Sequence, residues 1–334
     1  MTAAARVAVT GASGNIGTAV VRELSARGHE VVAIARRAPA VPPGGSVEWR
    51  EADVRSSDLS PVLADVDAVV HLAWMFQPTH RPQVTWEANA AGTRRVLDAV
   101  ARAGVRTVVT TSSVAAYSPA DHDEPVDETW PTDGTSTAAY CREKAYVERS
   151  LDAFEAGHRG VRVVRLRPAF VFQRSAGSEQ RRIFAGALVR PTMLDRRLLP
   201  VVPVPADLRM QAVHAGDVAR AVAAAVERDV GGAFNLAAPD VLRRREIGRV
   251  MDARTVEVPQ RLTRSVVALA WRTHAVRAPG DLLEALLRIP LMSSERARRE
   301  LDWEPAHSGL EALAQMIDGA RHDWGSRTPP LDPR

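Results

Sequence analysis

Cysteine, lysine and tyrosine are scarce in this chain, and each shortage excludes something. Cys141 is the only cysteine, which rules out an internal disulfide framework and a cysteine-rich zinc site. Lys144 is the only lysine, so every other basic residue is arginine. Aromatic residues make up 5% of the 334 positions, and only three are tyrosines. No apolar run approaches the roughly 18–20 residues of a membrane helix, so no membrane span is expected. The start, Met1 to Arg6, enters a strand-like segment without the basic-then-apolar layout of a secretory signal, and a cytoplasmic location is expected. The formal net charge is +4, and the doublets Arg36-Arg37, Arg181-Arg182 and Arg196-Arg197 are scattered. Scattered arginines mark a solvated surface, so a nucleic-acid partner is not expected. No metal-ligand spacing stands out.

What is present is an alternation of short valine-rich runs with helical patterns. Strands are expected over residues 6–10, 30–35, 47–50, 68–72, 107–111 and 161–166, and helices over 16–27, 86–103 and 137–156. Gly28 and Gly104 follow two of these helices as stops. Runs of this kind suit strands buried on both faces. The pattern predicts an α/β, Rossmann-type doubly wound parallel sheet whose ligands sit at the carboxyl ends of the strands. Residues 173–205 are rich in Arg, Leu and Pro without a clear period; a helix over 215–227 and a strand over 233–236 then return to the earlier style. The expected division is a dinucleotide-binding domain, 1–172 plus 208–236, and a smaller discontinuous C-terminal substrate domain, 173–207 plus 237–334. The apolar stretch 265–271 is too short to cross a bilayer and is expected in the core.

Directly after the first strand comes Thr10-Gly11-Ala12-Ser13-Gly14-Asn15-Ile16-Gly17. A strand-to-helix turn that holds a pyrophosphate needs residues without side chains, so that backbone N–H groups approach the phosphates and the helix N-terminus adds partial positive charge. Gly11, Gly14 and Gly17 fit the turn, the close approach and the helix–strand packing, with Ser13, Asn15 and Ile16 alongside. At the end of the second strand an NAD site would place an acid on the ribose, but here Arg36 and Arg37 follow Ala35 and no acid appears before Glu48. A guanidinium pair suits a 2′-phosphate, so NADP(H) is the preferred cofactor, with NAD(H) the alternative. Asp53 and Val54, after the third strand, are candidates to contact adenine.

The chemical signal is Tyr140-Cys141-Arg142-Glu143-Lys144. Positions i and i+4 of a helix share a face, so the phenol and the ammonium project together. The ammonium is expected to pull the phenol's pKa down toward the working range, making Tyr140 an acid–base group. A chain that uses arginine everywhere else has its one lysine here, where a compact donor is needed. The run Thr110-Thr111-Ser112-Ser113, closing the fifth strand, offers hydroxyls that could bind the same substrate oxygen.

Taken in order, these motifs resemble the extended short-chain dehydrogenases/reductases, the NAD-dependent epimerase/dehydratase family. The likeness runs to about residue 240. Besides the glycine loop it includes Asp53-Val54, His71-Leu72-Ala73, Asn89…Gly92-Thr93, Ser112-Ser113…Tyr117, Tyr140…Lys144, Arg167-Pro168 and Val213-His214…Asp217-Val218. The resemblance implies Ser113 as the catalytic serine, Tyr140 as acid–base residue, and Lys144 as both catalytic and cofactor-binding. It implies that Pro168 and Val171 line the nicotinamide and that Leu72 and Ala73 run beside the phosphates and ribose. His71 and His214 are expected to hydrogen-bond structurally. Family members often pair through the helices near 86–103 and 137–156, so a homodimer is expected.

Departures narrow the reading. The segment after Arg167-Pro168 has no Tyr-Gly-Pro and no diphosphate-holding Asn, and Ser113-Val114-Ala115 lacks the acids that water elimination requires. The loop Ala73-Trp74-Met75-Phe76 is apolar and points to a partly hydrophobic substrate. The leading expectation is an NADP(H)-dependent oxidoreductase acting on a carbonyl or alcohol. A nucleotide-sugar epimerase using the same site is the alternative, with Arg174, Arg181, Arg182 or Arg190 as a diphosphate clamp. A non-enzymatic dinucleotide sensor is the third, disfavoured by the Tyr/Lys pair.

Overall fold

Valine- and alanine-rich runs form the first six strands: β1 (Arg6–Thr10), β2 (Glu30–Ala35), β3 (Val47–Glu51), β4 (Ala68–His71), β5 (Thr107–Thr111) and β6 (Arg162–Pro168). Between them lie α1 (Asn15–Ala26), α2 (Pro82–Trp86), α3 (Gly92–Ala103) and α4 (Ala139–Gly157). The computed structural model describes residues 4–39, 47–76, 81–184, 190–194, 200–273 and 280–332. The second half adds β7 (Phe170–Phe172), α5 (Gly177–Phe184), β8 (Val201–Pro205), β9 (Ala212–His214), α6 (Ala215–Glu227) and β10 (Gly232–Leu236). It ends with α7 (Arg244–Met251), β11 (Arg254–Val258), α8 (Gln260–Arg272), α9 (Gly280–Leu287), α10 (Glu295–Leu301) and α11 (Gly309–Arg321).

Seven strands make one parallel sheet in the order β10-β6-β5-β4-β1-β2-β3. Its strands carry small branched residues because both faces are covered. On one face α1 and α6 press Val20, Leu24, Val218 and Val222 against Val7, Val9 and Phe234. On the other, α3 and α4 press Val96, Val100, Leu151 and Phe154 against Ala8, Val69 and Val108. The chain leaves β1 toward β2 on one side and returns as β4 on the other. This reversal opens a crevice at the carboxyl ends of β1 and β4, where a doubly wound sheet binds its ligands.

The strand positions expected from sequence agree to within two residues. Three differences have physical reasons. The helix expected over 86–103 starts earlier, at Pro82, and is interrupted by a π turn, Glu87–Ala91. Residues 173–205 hold α5 and β8, and β8 is completed by pairing with β11, a partner about 50 residues away that no local pattern announces. The stretch 265–271, expected in the core, lies on α8, which has no buried residue; Leu262, Val266 and Leu269 are 55%, 58% and 65% exposed. These three side chains form a stripe at i, i+4 and i+7 that the sheet does not cover.

A buried charge network ties α4 to β6. Glu148, fully buried, accepts from Arg167 Nε and Nη2 at 2.9 Å each, and from Arg165 Nη1 at 3.3 Å. Arg167 also donates to the Tyr117 hydroxyl at 3.0 Å, which in turn donates to Asn235 on β10 at 2.7 Å. The guanidinium beside Glu148 holds its carboxyl below the ordinary range despite burial. Replacing Glu148 by Ala strands a buried guanidinium and is expected to cost about 3–5 kcal/mol. Urea unfolding followed by circular dichroism checks this; a loss under about 1 kcal/mol would mean the network does not hold α4 against the sheet.

Candidate active site

The first βα turn and β4 approach each other closely because Gly11 permits it. Gly11 has φ +70°, and a Cβ there would come within 2.7 Å of Ala73 N and Leu72 C. A Cβ on Gly17 would run into the Gly11 carbonyl, so α1 could not start so near the turn. Above this cradle lies a cavity of about 340 Å³. Ser13, Gly14, Asn15, Ile16, Leu72, Ala73, Pro168 and Val171 all line it, as do Gly11 and Gly17. A turn without side chains at a helix N-terminus is the donor set a dinucleotide pyrophosphate requires, so the residues present fit such a group.

At one end of the cavity, Arg36 lines the wall just beyond β2. Arg37 is exposed and does not line it, so of the arginine pair only Arg36 faces the cavity. Asp53 and Val54 line the same end, together with Arg55. Arg55 Nη2 binds Asp53 Oδ2 at 2.6 Å and Nε reaches both carboxylate oxygens at 3.0 Å, which holds the Asp53 carboxyl below the usual range. The Asp53 carboxylate is therefore already paired, a contact the sequence reading did not foresee.

Ser113, Tyr140 and Lys144 meet in the middle of the cavity. Ser113 caps the turn after β5, its Oγ accepting from Ala115 N at 3.1 Å, and its side chain lies beside the Tyr140 phenol, whose pKa it draws down. The Lys144 ammonium donates to the Thr111 carbonyl at 3.0 Å and lies 3.4 Å from the centroid of the Trp74 ring. Burial lowers its pKa to about 7, opposed by Glu148 and Glu143. Tyr140 differs from the sequence expectation. Its ring is packed edge-on by Trp74 and Phe76, and burial pushes the phenol above its ordinary value, with only Ser113 drawing it down. The Lys144 ammonium is 5.9 Å from the ring centroid and turned to Thr111 and Trp74, so it does not draw the phenol down and desolvation decides.

Behind this trio is a support that sequence reading missed. Glu143 is buried on α4, accepting from Thr85 Oγ1 at 2.6 Å and Asn89 Nδ2 at 2.7 Å. Asn89 sits in the π turn and grips the loop before it, accepting from Met75 N at 2.7 Å and donating to Met75 O at 3.2 Å. The loop that carries Trp74 and Phe76 is thus tied to the helix that carries Tyr140 and Lys144. A signal existed: a glutamate between a tyrosine and the only lysine, with Asn89 already prominent. The separation of 54 positions between the partners conceals it. Gln173 adds a second tie, donating from Nε2 to Asn15 O and Oδ1 at 2.6 and 2.9 Å.

His71 is buried between Thr10 Oγ1 at 2.7 Å and Thr93 Oγ1 at 3.0 Å; burial and Lys144 lower its pKa to about 3, so it stays neutral. His214 accepts from Gly216 N at 3.1 Å and stacks on His307. With Asp217 they form a cluster whose potential ligand atoms lie within 4.8 Å, away from the cavity lining, and Arg220 already pairs with Asp217 at 2.8 Å. The arginines considered for a diphosphate are engaged elsewhere. Arg174 pairs with Asp318 at 3.1 Å, Arg181 with Asp323 at 2.8 Å, and Arg182 donates to the Pro330 and Asp332 carbonyls at 3.3 Å. Arg190 is exposed and does not line the cavity.

The chain is 29% identical over 320 residues to an uncharacterized protein of Mycobacterium tuberculosis, a match that covers 95% of this chain and 30% of that one. The chain thus spans about a third of the length of its mycobacterial relatives. It is 25% identical over 340 residues to UDP-glucuronic acid decarboxylase 1 of Arabidopsis thaliana, covering 95% of this chain and 70% of the relative. Among solved structures, MoeE5 in complex with UDP-glucuronic acid and NAD superposes with a TM-score of 0.67 at 25% identity, covering 95% of this chain and 99% of that one. The UDP-glucose 4-epimerase of Thermotoga maritima shares the fold, with a TM-score of 0.74 at 20% identity and coverage of 95% and 99%. The model of the NAD dependent epimerase/dehydratase family matches residues 7–237, and the chain belongs to that family.

Proposed function

We propose that the chain is an NADP(H)-dependent oxidoreductase that reduces a carbonyl or oxidises the matching alcohol, with Ser113, Tyr140 and Lys144 as its catalytic residues. The observation that carries this reading is the convergence of Ser113, Tyr140 and Lys144 on one cavity beside the glycine turn, with the phenol buried. Gly11, Ser13, Gly14, Asn15, Ile16, Gly17, Asp53, Val54, Leu72, Ala73, Lys144, Pro168 and Val171 would hold the dinucleotide, and Arg36 its 2′-phosphate. When bound, the nicotinamide supplies or accepts the hydride. The chain's own part is the proton. Ser113 donates a hydrogen bond to the substrate oxygen, and Tyr140 delivers its proton to that oxygen as negative charge develops on it. Lys144 keeps positive charge beside the resulting phenolate.

A second reading, nucleotide-sugar epimerisation at the same site, is favoured by the nucleotide sugars bound in the structural neighbours. The ion pairs of Arg174 and Arg181 weigh against it, because a diphosphate would have to compete for them. The domain division, with substrate held by 173–207 plus 237–334, and pairing of two copies through α3 and α4 belong to the proposal. Among the described residues, no helix is long and apolar enough to cross a membrane.

Three outcomes are expected. Tyr140→Phe should lower ketone reduction by about 10²–10⁴-fold in steady-state assays while leaving NADPH affinity nearly unchanged; normal turnover would remove Tyr140 from the mechanism. Arg36→Asp should weaken NADPH by about tenfold or more in fluorescence titration and spare NADH. Because Lys144 loses its charge near pH 7, reductive kcat/KM should be level on the acid side and fall above about 7. A profile that instead rises through that region would contradict the role given to the ammonium.

A further inference from the structure

The cavity wall also carries a set of large apolar side chains, Phe76, Phe170, Phe172, Ile183 and Leu286. Two adjacent side chains of α5 interrupt this wall, Glu179 and Gln180. Gln180 is 7% exposed; its Nε2 is fixed on the Val171 carbonyl at 3.1 Å, while its Oε1 is buried with no hydrogen-bond partner. The half-buried Glu179 carboxylate accepts no hydrogen bond from the described residues; its charged neighbour Arg182 donates through Nη2 to the carbonyls of Pro330 and Asp332, and its buried Nη1 has no partner among them. Burial raises the Glu179 carboxyl to about 7, the mark of an acceptor short of donors.

Buried acceptors in folded proteins are almost always paired, so Gln180 Oε1, with the half-buried Glu179 carboxylate beside it on the same cavity wall, calls for a donor from the cavity. The cations among the described lining residues lie elsewhere: Arg36 and Arg55 beside Asp53, and Lys144 on the Thr111 carbonyl. A phosphate entering beside Glu179 would meet acceptors and negative charge. A hydroxyl would be matched.

We propose that Glu179 and Gln180 are specificity-determining residues that anchor a hydroxyl group of the substrate, a carbonyl compound with an apolar body. This rests on the carbonyl-reduction reading given above and narrows its substrate class. Glu179 accepts from the remote hydroxyl, Gln180 Oε1 offers a second acceptor, and the phenylalanines enclose the carbon skeleton that reaches back to Ser113 and Tyr140.

The test is calorimetric binding to the full chain saturated with NADP⁺ or NAD⁺, whichever binds tighter. The probes are para-hydroxyacetophenone, para-methylacetophenone, the para-carboxylate and UDP-glucose. The hydroxyl compound should bind about tenfold more tightly than the methyl compound, with the carboxylate weakest and UDP-glucose weaker than the hydroxyl compound. Glu179→Leu should erase the hydroxyl preference, and the isosteric Glu179→Gln should cut it at least threefold if the leucine variant does not fold. Equal binding of hydroxyl and methyl probes, a preference for the carboxylate or UDP-glucose, or binding of none of the four would overturn the proposal. So would a Glu179→Leu variant that weakens the cofactor instead. Nicotinamide absorbance with the same ketones separates the two readings: a bound but unreduced hydroxyl ketone keeps the anchor and removes the reductase.

Discussion

The crevice exists because two backbones touch where no side chain intervenes. Gly11, in the left-handed region, lets the first βα turn lie against Leu72-Ala73, and Gly17 lets α1 begin on that turn. From this contact follow the position of the helix N-terminus, the width of the cavity and the path of the loop that carries Trp74 and Phe76 toward Tyr140. Larger residues at either glycine would separate β1 from β4 at their carboxyl ends, where the ligand site has to form.

The second constraint is electrostatic. Lys144 and Glu148 are one helical turn apart on α4 and both are buried, a costly arrangement that survives because each is engaged. Glu148 takes two hydrogen bonds from Arg167, and Lys144 takes the Thr111 carbonyl and the face of Trp74. The same desolvation that lowers the lysine raises the tyrosine, moving the two groups toward a neutral pair. A protonated phenol beside a lysine titrating near neutrality suits delivery of a proton to a developing alkoxide.

Much of this was legible in the sequence, and what was not has a common cause. The glycine loop, the strands and the Tyr140…Lys144 spacing are local patterns, set by backbone geometry over a few residues, and they identified the sheet and its crevice. Contacts between distant segments left no such trace: Glu143 with Asn89, Asp53 with the guanidinium of Arg55, and the pairing of β8 with β11. The tyrosine's pKa was misjudged because sequence shows which charge is near but not how much water is excluded. Arg37 was coupled to Arg36 as a doublet, though successive residues just beyond a strand point different ways and only one faces the cavity. On α8, apolar composition points to burial, but the fold leaves that helix outside the sheet's reach.

The central claim is that this crevice binds a 2′-phosphorylated dinucleotide between the glycine cradle and the buried tyrosine. Parallel titrations of the wild-type chain with NADPH and NADH, followed by nicotinamide fluorescence, test it most directly. The account predicts saturable binding of both, with NADPH at least tenfold tighter. Tighter binding of NADH, or binding of neither by a folded chain, would contradict it.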